Sequence, residues 1–76
     1  MHEAKIRLNP DNVTEFVKLS ENCSFDIDIF CSKIIIDAKS VLGVMGLDLS
    51  KVLTVRYYGQ DSAFENMLHR YAAVQS

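Results

Sequence analysis

The chain has 76 residues, 49 % of them hydrophobic and 24 % charged, with a net charge of −2. This length makes one small domain that buries about 60–65 % of its unfolded surface, and the composition excludes a disordered chain, a repeat array and a membrane span, which needs ~20 consecutive apolar residues. The eight Lys and Arg residues are scattered, so a basic footprint for nucleic acid or anionic lipid is missing, and the opening MHEAKIRLN lacks the apolar core of a signal peptide, which points to the cytoplasm.

Residues 3–8 alternate between apolar and charged, which predicts a half-buried strand with Ala4, Ile6 and Leu8 inward and Lys5 and Arg7 outward. Asn9-Pro10-Asp11-Asn12 breaks it with turn and cap residues. A helix is expected over residues 13–22, with Val13, Phe16, Val17 and Ser20 on one face and Leu19 at its margin. Asn12 followed by Glu15 reads as a variant capping box at its start.

Residues 25–30 alternate again, with Phe25, Ile27 and Ile29 inward and Asp26 and Asp28 toward water. Ser32-Lys33 separates this run from Ile34-Ile35-Ile36 and predicts a tight hairpin, with Ile35 on the face opposite Ile34 and Ile36. Ser40 opens a short helix from Val41 to Met45, and Gly46 closes it where a left-handed residue is favoured. Gly43 inside that helix lowers its intrinsic stability by about 1 kcal/mol relative to Ala, so tertiary packing must hold it. Residues 52–58 form a further strand with Leu53, Val55 and Tyr57 on one face. After the Gly59-Gln60-Asp61 turn, Asp61 or Ser62 caps a last helix over residues 63–74 with the stripe Phe64, Met67, Leu68, Tyr71 and Ala72.

The order β-α-β-β-α-β-α predicts an α+β fold, an open-faced sandwich of one four-stranded antiparallel sheet with three helices on one face. Phe30, Ile35 and Tyr58 are expected on the bare face. Cys23 and Cys31 lie eight apart with no CxxC and no His at zinc-ligand spacing, which reads as two reduced thiols in preference to a disulfide between strand ends. No metal or cofactor motif is present.

Lys39-Ser40-Val41-Leu42-Gly43-Val44-Met45-Gly46-Leu47 resembles the regulatory-serine segment of HPr, the histidine-containing phosphocarrier of the bacterial sugar phosphotransferase system, whose pattern there is roughly K-S-I-M-G-V-M-S-L. The resemblance extends to the element order of the whole chain. It implies that Ser40 is a regulatory phosphorylation site, with Val41, Leu42 and Met45 as the apolar contact surface for a partner. It implies partners among phosphotransferase or catabolite-control proteins, including a serine kinase. A Ser at a helix N-cap is also common with no regulation attached.

The departure from the family lies at the phosphoryl-accepting site. The family carries H-x-R-P at the start of its first helix, whereas Leu8-Asn9-Pro10-Asp11-Asn12-Val13 holds no His and no Arg. Phosphohistidine chemistry needs the imidazole nucleophile and a cation beside the phosphate, and Asp11 would repel the incoming group. No catalytic residue is therefore assigned to the Asn9–Asn12 stretch. His2, expected on an unstructured strand end, and His69, off the stripe of the last helix, read as solvated surface histidines.

Three roles follow. A non-enzymatic HPr-like regulator acting by protein binding, switched at Ser40, fits the segment that is kept and the site that is lost. An active phosphoryl carrier would have to use His2, His69 or Asp11. A structural domain would form homo-oligomers through Phe30, Ile35 and Tyr58. RNA stacking on Tyr57 and Tyr58 is opposed by the net charge and by Asp26 and Asp28.

Overall fold

The computed structural model describes residues 1–73. Seven elements follow in the order β1 (His2–Ile6), α1 (Pro10–Glu21), β2 (Ile27–Cys31), β3 (Ile34–Asp37), α2 (Val41–Met45), β4 (Leu53–Tyr57) and α3 (Ser62–Arg70). The strands make one antiparallel sheet in the order β1-β4-β2-β3, and the helices cover one face, so the architecture is the expected α+β open-faced sandwich.

Period-two patterning determines which side chains enter the core. Ile27, Ile29 and Cys31 of β2 and Leu53, Val55 and Tyr57 of β4 are buried. Val13, Phe16, Val17 and Ser20 of α1 and Phe64, Met67 and Leu68 of α3 close over them. The rings of Phe16 and Phe64 lie 6.3 Å apart, and Tyr57 meets Phe64 edge-on at 5.3 Å. Buried Ser20 is satisfied by donating to the Phe16 carbonyl at 2.8 Å. Gly59 lies beneath Phe25, where a Cβ would stand 2.2 Å from the ring, so only glycine fits that turn.

The open face carries two cross-strand rows: Lys5, Thr54, Phe30 and Ile35 in one, and Glu3, Arg56, Asp28 and Asp37 in the next. Arg56 Nε donates to Glu3 Oε2 at 2.8 Å, and its guanidinium lies 4.4 Å over the Phe30 ring. The bare face is therefore a polar lattice with its aromatic capped, while Ile35 and Tyr58 stay exposed there.

Several sequence expectations are corrected. α1 begins at Pro10 and not at Val13, because Pro at the first helical position pre-sets φ and has no N–H to leave unsatisfied. Its cap is Asn9, so Asn12 is the box partner and Glu15 is released for another role. Gly46 ends α2 at φ −80° and is not left-handed. α3 stops at Arg70. Tyr71 caps it, and exposed Ala72 bridges to Ile6 instead of extending the helical stripe. Val74 lies outside the described residues. His2 belongs to β1 and stacks on Tyr57 at 5.0 Å, so it is not on a loose end. Cys23 and Cys31 are buried free thiols.

Candidate functional site

The structure treats the starts of α1 and α2 oppositely. The Asn9–Asn12 stretch, where the resemblance led H-x-R-P to be expected, is the cap and first turn of α1. Asn9 Oδ1 accepts the Asn12 N–H at 3.0 Å, and Asn12 Oδ1 accepts the Asn9 N–H at 2.9 Å. Pro10 has no N–H. The amides that would cradle a phosphate at this helix start are thus mostly absent or already bonded. Asp11 sits exposed in the first turn, where its charge complements the helix dipole and disfavours a second anion.

Neither histidine comes to this site. His2 is in β1 against Tyr57, and His69 is exposed in α3. Farther along α1, Glu15 binds the far end of α3. Arg70 donates from Nη2 at 2.9 Å and Nη1 at 3.3 Å, and the Tyr71 hydroxyl donates to Oε1. The Arg70 hydrogen bonds, then that of Tyr71, hold the Glu15 carboxyl below its ordinary range.

The second start is α2. Ser40 is exposed at its N-cap, and its Oγ accepts the Gly43 N–H at 3.2 Å. Asp37 supports the approach, its carboxylate accepting the Lys39 N–H at 2.9 Å and its carbonyl the Ser40 N–H at 3.0 Å. Lys39, the adjacent cation, turns away: its Nζ donates to the Cys23 carbonyl at 3.0 Å. Burial pushes the Cys23 thiol up, and it stays protonated.

Only Val44 of α2 is buried. Leu42 is 84 % exposed, Met45 51 % and Val41 47 %, so all three of the residues singled out in the sequence face outward. A five-residue helix has room to bury one apolar position when it lies flat on a sheet edge. Gly43 makes that close approach, because a Cβ there would stand 2.7 Å from Ile36 Cγ2. The result is an apolar patch flanking an accessible hydroxyl. Sequence reasoning missed the Asn9–Asn12 closure, although Asn-Pro-x-Asn with Pro at the first helical position was the available signal.

Elsewhere, a surface depression beside the open face is lined by Asp26, Asp28, Asp37 and Tyr58. Its carboxylates make it unsuited to phosphate or nucleic acid. Among the described residues, no cluster of metal-ligating side chains occurs and no helix is long and apolar enough to cross a membrane.

At the level of sequence, no family model matches the chain and no curated protein matches it. Solved structures do. HPr-C-His from Thermoanaerobacter tengcongensis superposes with a TM-score of 0.74 at 23 % identity, covering 91 % of this chain and 92 % of that one. The phosphocarrier protein HPr from Bacillus anthracis str. Ames gives a TM-score of 0.67 at 21 % identity, over 95 % and 94 % of the two chains. With its strand order, its helix positions and these two superpositions spanning nearly the whole chain, this protein has the fold of the HPr phosphocarriers.

Proposed function

We propose that this chain is an HPr-like protein of the sugar phosphotransferase system family that acts by binding and does not carry phosphate. Its docking surface is Val41, Leu42 and Met45, and phosphorylation of Ser40 switches it. The observation that carries this reading is the outward display of Leu42, Met45 and Val41 around an exposed Ser40. A phosphate on Ser40 adds nearly two negative charges at the start of α2. Because Lys39 is committed to the Cys23 carbonyl, that charge is presented outward to cationic groups of a partner. The partners are phosphotransferase or catabolite-control proteins and a serine kinase, in the cytoplasm.

Intact-protein mass spectrometry after two incubations tests it. One contains phosphoenolpyruvate with a general phosphotransferase enzyme I, and the other contains ATP with an HPr serine kinase. A label from ATP alone, lost in Ser40→Ala, is expected. A label from phosphoenolpyruvate would restore the carrier reading, with His2, His69 or Asp11 as its acceptor. No label in either arm would remove the switch and leave the docking surface to be tested by binding.

A further inference from the structure

We propose that two copies of this chain associate edge to edge through β3, as a twofold antiparallel strand pair centred on Ile35 that joins the two sheets into one. This goes beyond the docking role of α2 and uses a different part of the molecule.

The two edges of the sheet are built differently. β1 is closed at one end by the segment after α3. The Arg7 N–H donates to the Tyr71 carbonyl, the Ala73 N–H donates to the Lys5 carbonyl, each at 2.9 Å, and Ile6 bridges to Ala72. Its open-face residues Glu3 and Lys5 are charged. β3 has no proline and no charge before its last residue, reading Ile-Ile-Ile-Asp, and is guarded by its four-residue length and by α2 against Ile36. Ile34 is 52 % exposed and Ile35 61 %. Among the described residues, no strand pairs with its outer side.

The register makes this edge self-complementary. Cys31 and Ile34 close a two-residue hairpin turn, with a positive φ of 56° at Ser32 and none at Lys33, the type II′ pattern. Hydrogen bonding alternates from that closing pair, so Ile34 and Ile36 bond to β2 while the N–H and C=O of Ile35 point away from the sheet. An antiparallel pair centred on Ile35 lets the two copies exchange both bonds there. Ile34 then lies opposite the partner's Ile36, and Lys33 opposite the partner's Asp37. Centring on Ile34 or Ile36 instead opposes Ile35 to Lys33 or to Asp37, and loses both the Ile34–Ile36 and the Lys33–Asp37 oppositions.

Charge supports the same register. Asp37 is the cross-strand partner of Asp28, an unfavourable like-charge pair on the open face. Arg56, next in that row, is engaged by Glu3. The partner's Lys33 supplies the missing cation, twice by symmetry. A strand this short buries little surface, so the dimer is weak and concentration-dependent.

Sedimentation equilibrium of the full chain, from about 10 µM to about 1 mM, is expected to show the mass rising from 8.6 kDa toward twice that value. Lys33→Asp sets two carboxylates against each other at both symmetric positions and is expected to weaken the dimer about tenfold or more. Combining it with Asp37→Lys restores the opposition of charges and is expected to restore association, while Ile35→Lys abolishes it. Asp37 also supports the approach to α2, so a measurement on the unaltered chain stands beside these. The Ile35 amide is expected to gain exchange protection as concentration rises. A chain monomeric throughout overturns the proposal, including the case in which a strand of another protein protects the Ile35 amide. So does a dimer indifferent to Lys33→Asp, or a folded double reversal that stays monomeric.

Discussion

The starts of α1 and α2 lie on one face of one sheet, and both are capped by a short polar side chain. They differ in what they leave free. At α1 the cap is reciprocal, Asn9 with Asn12, and a proline removes one donor outright. Twelve residues then give the helix enough length to turn its whole apolar face into the core. At α2 the cap is a single serine, and five residues bury one apolar side chain and display three. Length and capping together separate a helix that holds the fold from one that offers a surface. The fold is shared with the HPr structures named above, and in this chain it closes the start of α1.

The sharpest way to test that division is to cut into α1. Phe16→Ala empties a fully buried site and is expected to cost about 3–5 kcal/mol, measured by urea denaturation. If the protein lost less than 1 kcal/mol, α1 would not be the helix that holds the fold. Gly43→Ala comes next. Host propensity favours the change by about 1 kcal/mol, but the added Cβ meets Ile36 Cγ2 at 2.7 Å and Ser40 Oγ at 3.1 Å. Net destabilisation of about 1–2 kcal/mol is expected from the overpacking, and a stabilised variant would show that α2 is not pressed against β3. Asn9→Ala and Ser40→Ala each remove one cap and should cost about 1 kcal/mol by the same assay. Leu42→Ala closes the series: its effect on stability should stay within about 0.5 kcal/mol, while binding to the partner proposed for α2 is expected to fall. A Leu42→Ala loss of stability comparable to Gly43→Ala would turn the patch into ordinary packing.

The tie between α1 and α3 adds a pH dependence. The folded-state carboxyl of Glu15 lies below its unfolded value, first through Arg70 and then through Tyr71. Its contribution is therefore full above the ordinary carboxylate range and is lost as pH falls through the lowered folded value. Glu15→Gln should leave a protein whose melting temperature falls less steeply than that of the parent on acidification. Parallel slopes for the two proteins would show that the contact contributes nothing to folding.

Much of this was legible from residue periodicity. Alternation at 25–30 and 52–58 set the inward faces of β2 and β4, and the 3.6-residue spacing of Val13, Phe16, Val17 and Ser20 set the buried face of α1. Ser40 as a cap was readable because Ser before a short apolar run has few other uses. What sequence reasoning missed depended on competition between neighbours. Asn9 and Asn12 are both good caps, and Pro10 between them decides for the first. Glu15 could serve a box or a distant cation, and only the return of α3 brings Arg70 within reach. The outward display of all three of Val41, Leu42 and Met45 follows from α2 lying on the sheet edge, which no local pattern encodes.

The placement of β1 has a bearing on the order in which the fold can close. Among the described residues β1 finds its only strand partner in β4, and its end is closed by residues 71–73. β1 therefore cannot bury Ile6 and Leu8 until the C-terminal half of the chain has formed, whereas the β2–β3 hairpin needs only a two-residue turn to close. A chain cut before β4 would keep the residues of that hairpin and of α1 but leave β1 with no strand to dock on.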